Sequence, residues 1–188
     1  MIYLLFGLFA FVAFHLIRSK RPEWRAAAQA EVGDLSKGII GVGILCSILL
    51  MIIGYRTAAF IPIWSPPGFF THINNLLMVF AFYVYFITAT QPGTAFIMGD
   101  TKNPQLTGFK IWAAAHLLVN GDLASIILFG GLLAWAVVQV ISAKNTPSLV
   151  DRSSAPISSP WVHLGLVVGV FIVVAVLHIW FGRWPFGG

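Results

Sequence analysis

The sequence predicts an all-α, polytopic membrane helical bundle with about six transmembrane helices, and three observations predict it. Of its 188 residues, 59% are hydrophobic and only 9% are charged, where soluble domains carry about 25% charged residues. Mean hydropathy is +0.89. The apolar residues fall into runs close to the length that crosses a bilayer, with the polar residues gathered between them. A single integral membrane domain accounts for residues 1–188.

The first run extends from about Ile2 to Ile17. It lacks a basic leader and a small-residue cleavage site, and reads as a retained span rather than a removed signal. It is short, so tilt or local thinning of the bilayer must accommodate it. Gly7, Phe11 and His15 share one face, and Arg18 follows a turn later. Pro22 and the residues after it predict a short interfacial helix with Pro in its first turn, closed by Gly33 and Asp34. The second span covers about Gly38 to Tyr55, where Gly38, Gly41 and Gly43 predict close approach of another helix. A Pro-rich aromatic turn with Trp64 as an interfacial anchor follows.

The third span covers about Thr71 to Thr90, with His72, Asn74 and Asn75 in its first turns, and Gln91-Pro92-Gly93 stops it. A loop holding Asp100 and Lys102 leads to the fourth span, Pro104 to Val119, barely long enough to cross. Asn120-Gly121-Asp122 breaks that helix, and Asp122 is placed to cap the fifth span, Leu123 to Ala143. Gly130 with Ala134 gives the fifth span a small face. Residues 144–160 read as a flexible polar loop, and the sixth span, Trp161 to Phe181, carries Gly165 and Gly169 as a packing face.

The net charge of +5 does not indicate nucleic acid, because the basic residues lie in short loops between apolar runs. Loops one, three and five hold eight of them, against Arg56 and Arg183 on the other side; Lys110 lies within the fourth span. This bias places the first loop in the cytoplasm and both termini outside. The lone Cys46 sits in an apolar run, so an intrachain disulfide is excluded and a small buried hydrophobe is expected.

Chemistry inside the bilayer is restricted to imidazole. The chain has no HExxH, GxSxG, P-loop or paired carboxylates, and the spans hold no acidic residue, which argues against an ion-coupled transporter. An imidazole among hydrocarbon is costly unless partnered. His116 lies deepest in its span, with Trp112 a turn before and Asn120 a turn after on the same stripe. His72 and His163 sit at span entrances and read as solvated interfacial residues, and His15 can snorkel toward water. Helix rise of about 1.5 Å per residue puts His15 and His163 near the cytoplasmic face, and His72, His116 and His178 nearer the outer face. On that geometry His116 pairs with His178 or His72. Imidazole ligands in a helical bundle, with glycines making room, suit b-type haem.

The sequence resembles the NnrU family of bacterial membrane proteins, whose plant relative is zeta-carotene isomerase. The residues that carry the resemblance are His15 with Arg18, Trp24-Arg25, Gly54-Tyr55 and, above all, the stretch from Asn103 to Val137, NPQLTGFKIWAAAHLLVNGDLASIILFGGLLAWAV. It covers nearly the whole chain. The plant isomerase holds haem b between two histidines, one at the end of its first matching span and one in the motif that reads IWAAAH here. The resemblance therefore implies haem b, with iron, between His15 and His116, and Arg18, Trp112 and Asn120 beside the cofactor. Two positions depart from the family pattern: Asn103-Pro104 stands where His-Pro is usual, and Ala113 stands where the plant motif has cysteine. The depth estimate keeps His178 and His72 open as the second ligand.

Three functions follow as expectations. The first is a haem protein of nitric oxide and nitrite metabolism in denitrification, as resemblance to NnrU implies, embedded in membrane lipids. The second is a haem-dependent cis–trans isomerase of a lipid-soluble polyene such as zeta-carotene. The third is a non-catalytic accessory or assembly subunit of a membrane complex, or a homo-oligomer, associating through its glycine faces.

Overall fold

The computed structural model describes residues 1–20, 22–90, 102–143 and 159–186. The helices are α1 (Ile2–Lys20), α2 (Pro22–Val32), α3 (Leu35–Arg56), α4 (Phe70–Tyr85), α5 (Ile87–Thr90), α6 (Pro104–Val119), α7 (Leu123–Ser142) and α8 (Pro160–Trp180). No β-strand occurs among the described residues. The all-α membrane bundle is therefore as expected. The stop at Gln91-Pro92-Gly93, the loop holding Asp100 and the polar loop at 144–158 lie outside the described residues.

Helices α3, α7 and α8 are long and apolar enough to cross a membrane, and α1 has a shorter apolar stretch, Ile2–Leu16. Helices α4 and α6 have 16 residues each, which at the rise of an α-helix reach only about 24 Å of the ~30 Å hydrocarbon core. Apolar residues of the long helices point outward: Ile172 and Val173 on α8 and Val42 on α3 are exposed, as residues meeting lipid chains should be.

Local chemistry explains the ends. Gly33 closes α2 in the left-handed region, φ 60°, where only glycine is unstrained, and its N–H returns to the Gln29 carbonyl at 2.9 Å. Gly182, φ 76°, closes α8. Its N–H reaches the Ile179 carbonyl and the Arg183 N–H reaches that of His178, a Schellman closure. The third expected span is not continuous. It breaks at Phe86 between α4 and α5, where the Thr90 hydroxyl donates to the Phe86 carbonyl and competes with the helical ladder.

The chain forms two compact units. The first comprises Met1–Trp64 with Asp122–Trp135, and the second Ser65–Gly121 with Ala136–Gly188. In the first, α1 and α3 lie antiparallel in close contact. A Cβ at Gly7 would lie 2.7 Å from the Met51 nitrogen and 2.8 Å from the Ser47 carbonyl, and one at Gly54 would strike the Leu4 backbone. In the second, a Cβ at Gly108 on α6 would meet the Ala81 carbonyl of α4 at 2.5 Å. These contacts correct the expected packing faces. Gly38, Gly41, Gly130, Gly165 and Gly169 meet nothing among the described residues, while Gly43 meets the Phe14 ring and Gly131 the Leu8 side chain. Close approach is decided by where two helices cross, which glycine spacing within one helix does not encode.

Candidate functional site

In the second unit, α6 presents Trp112, His116 and Asn120 as one stripe. Pro104 starts the helix at a position where its missing N–H is harmless. Asn120 ends it in extended geometry, φ −121° and ψ 106°. The His116 Nδ1 lies 2.9 Å from the Trp112 carbonyl. A carbonyl only accepts, so Nδ1 carries the proton and the neutral ring holds its lone pair on Nε2, the nitrogen available to a metal. The Trp112 ring lies 5.0 Å from the His116 ring, tilted by 48°, and Phe109 lies 5.0 Å beyond Trp112. Asn120 donates from Nδ2 to the His116 carbonyl at 2.8 Å. Its side chain thus closes the helix end that carries the imidazole.

His178 on α8 belongs to the same unit. Its Nδ1 meets the Val174 carbonyl at 2.7 Å, which sets the same tautomer as in His116. His72 is exposed in the first turn of α4, as expected of an interfacial residue. His163 corrects its expectation: it is 1% exposed rather than solvated. Its Nδ1 lies 2.6 Å from the Thr90 hydroxyl, and its ring meets Tyr83 edge-on at 4.7 Å. Nothing the size of a macrocycle reaches a ring so enclosed: His163 is a core histidine whose Nδ1 is held by Thr90, while its buried Nε2 meets no hydrogen-bond partner among the described residues. The signal for this contact lies seventy-three residues away in the chain, beyond the reach of periodicity.

In the first unit, His15 on α1 repeats the arrangement of His116. Its Nδ1 lies 2.8 Å from the Phe11 carbonyl, so Nε2 again bears the lone pair. The Phe11 ring lies 4.2 Å away and the Trp135 ring 4.8 Å away, the latter at 72°. Trp135 thereby joins the candidate residues. Its only signal in the sequence is a tryptophan in the middle of the fifth apolar run. The Arg18 side chain lies outside the described residues.

The same unit holds a polar chain at the start of α7. Asp122 caps the helix as expected, accepting from the Ser125 N–H at 3.1 Å, and it also accepts from the Ser125 hydroxyl. That hydroxyl's hydrogen is committed to the carboxylate, so the Tyr55 hydroxyl donates to Ser125 at 2.9 Å. The Leu123 N–H reaches the Ile61 carbonyl at 2.9 Å, and Pro62 bridges to Asp122. A π-helical turn, Ile126–Gly130, comes next.

The described residues hold no group of three or more His, Cys, Asp or Glu able to enclose a metal ion. Their imidazoles come singly, half-buried at His15 and His116, each with its proton fixed on Nδ1. Such donors fit a metal that brings an equatorial macrocycle with it and asks the protein for axial nitrogen alone.

The family model described as NnrU protein matches residues 3–185. No curated protein and no solved structure matches the chain.

Proposed function

The chain belongs to the NnrU family, and on that premise we propose that it is a haem b-binding protein of the bacterial inner membrane, both termini periplasmic, serving nitric oxide and nitrite metabolism. His116 would hold the haem iron. The observation that carries this reading is the His116 Nδ1–H bond to the Trp112 carbonyl, which leaves Nε2 as the ligating atom and raises its basicity. The haem supplies a redox-active iron able to take a small ligand such as nitric oxide. Trp112 walls one side of the imidazole, and Asn120 holds the helix end beneath it.

The family resemblance implies His15 as the second ligand. Its tautomer is set as that of His116 is. His178 is the alternative, favoured by one observation: it lies in the same unit as His116, with its Nδ1 likewise bonded to a backbone carbonyl. Absorption spectra of the purified protein, expressed with ample haem, test both. The expected result is a Soret band that His116→Ala abolishes and that His15→Ala shifts or weakens. Loss in His178→Ala with no change in His15→Ala moves the second ligand to α8. No Soret band in the natural protein, or one untouched by His116→Ala, overturns the reading.

A further inference from the structure

We propose that Trp135 is a positioning residue for the His15 imidazole, fixing the plane in which that ring presents Nε2. The proposal rests on the reading of His15 as an axial ligand. The bond from Nδ1 to the Phe11 carbonyl settles the tautomer, but a hydrogen bond within the ring's own helix does not by itself fix the ring plane. Two aromatic rings remove that freedom. Phe11 tilts against the imidazole at 4.2 Å, and Trp135 meets it edge-on at 4.8 Å. Phe11 and Trp135 also contact one another, 5.0 Å apart at 71°. The three rings form a closed triangle, and Trp135, only 9% exposed, has little room to leave it.

The rest of the unit holds Trp135 in register. Asp122, Ser125 and Tyr55 tie the start of α7 to α3. Phe129 packs edge-on against Tyr55 at 6.2 Å, and Gly131 lets the Leu8 side chain against the helix. The π turn at Ile126–Gly130 completes the arrangement. A π turn adds one residue to the helical count, so everything beyond it is rotated by roughly 100° relative to an uninterrupted α-helix. Without that turn Trp135 would point away from α1 and lose the imidazole. Outer partners of this kind change metal retention by about 10–100-fold when removed.

The test uses the full chain in detergent, with isotope-labelled histidine and no added haem. The His15 ring resonances are assigned by their disappearance in His15→Ala. They are expected to move in Trp135→Leu, to return toward their natural positions in Trp135→Phe, and to stay in place in the control Trp184→Leu. Should Trp135→Leu fail to fold, Trp135→Met fills the space without a ring and carries the comparison. In haem-loaded protein, the low-spin ferric resonance spectrum is expected to shift in Trp135→Leu and recover in Trp135→Phe, with haem retention down about tenfold in the former. Unmoved His15 resonances in the leucine and methionine variants overturn the proposal and leave the haem reading standing. Moved resonances, with a haem spectrum indifferent to His15→Ala, support the positioning and overturn the ligand reading alone.

Discussion

His15 and His116 meet the same two kinds of partner: a backbone carbonyl one turn earlier in their own helix and a tryptophan ring near 5 Å, at 4.8 Å and 5.0 Å respectively. The origin of the tryptophan differs. At His116 both partners belong to Trp112, so forming α6 is enough to create the site. At His15 the carbonyl comes from Phe11 but the indole comes from Trp135 on another helix, so α1 alone supplies half the arrangement. A site made by one helix survives disturbance elsewhere in the molecule. A site shared between helices depends on every contact that sets their register.

Substitutions that loosen the first unit should therefore damage His15 and spare His116. The largest effect is expected from Gly54→Leu, since even a Cβ there strikes the Leu4 backbone. Overpacking at such a crossing costs about 3 kcal/mol, read as an earlier midpoint in a detergent-to-SDS unfolding titration, and the His15 ring resonances should shift with it. Those of His116 should hold; a matching shift in both rings would erase the contrast. Ser125→Ala comes next. It strips Tyr55 and Asp122 of a shared buried partner, at about 2 kcal/mol, and should again reach His15 through Trp135.

Asn120→Ala sharpens the comparison from the other side. It removes the Nδ2 bond to the His116 carbonyl, at about 1 kcal/mol by the same titration, and should alter the His116 ring signals alone. The smallest effect is expected from Gly165→Ala. Nothing lies within 4 Å of its added methyl, so stability should stay within about 0.5 kcal/mol of the natural chain. A loss well beyond that value would mean that the Gly165 face is covered when the protein is purified, which size-exclusion with light scattering would show as a higher mass.

The same local-versus-shared distinction explains what could be read from the residues. The α6 boundaries, Pro104 and Val119, and the Asp122 cap were legible because each is set within a few residues of chain. The Trp112–His116–Asn120 stripe was legible because spacing by four is a helix face. His163 was misread as solvated because its partner, Thr90, lies on a distant element. The glycine faces were misplaced because Gly165 and Gly169 look like Gly7 and Gly54 until the crossing points are known.

By itself, then, the sequence determined membrane character, helical class, the ends of α6 with the cap of α7, and the stripe around His116. All of these follow from hydropathy and from interactions within one or two turns. Tertiary structure alone decided which glycines meet a neighbour, that His163 is enclosed, and that Trp135 stands against His15. Each of those depends on the relative rotation and crossing of helices, and a single π turn is enough to change it.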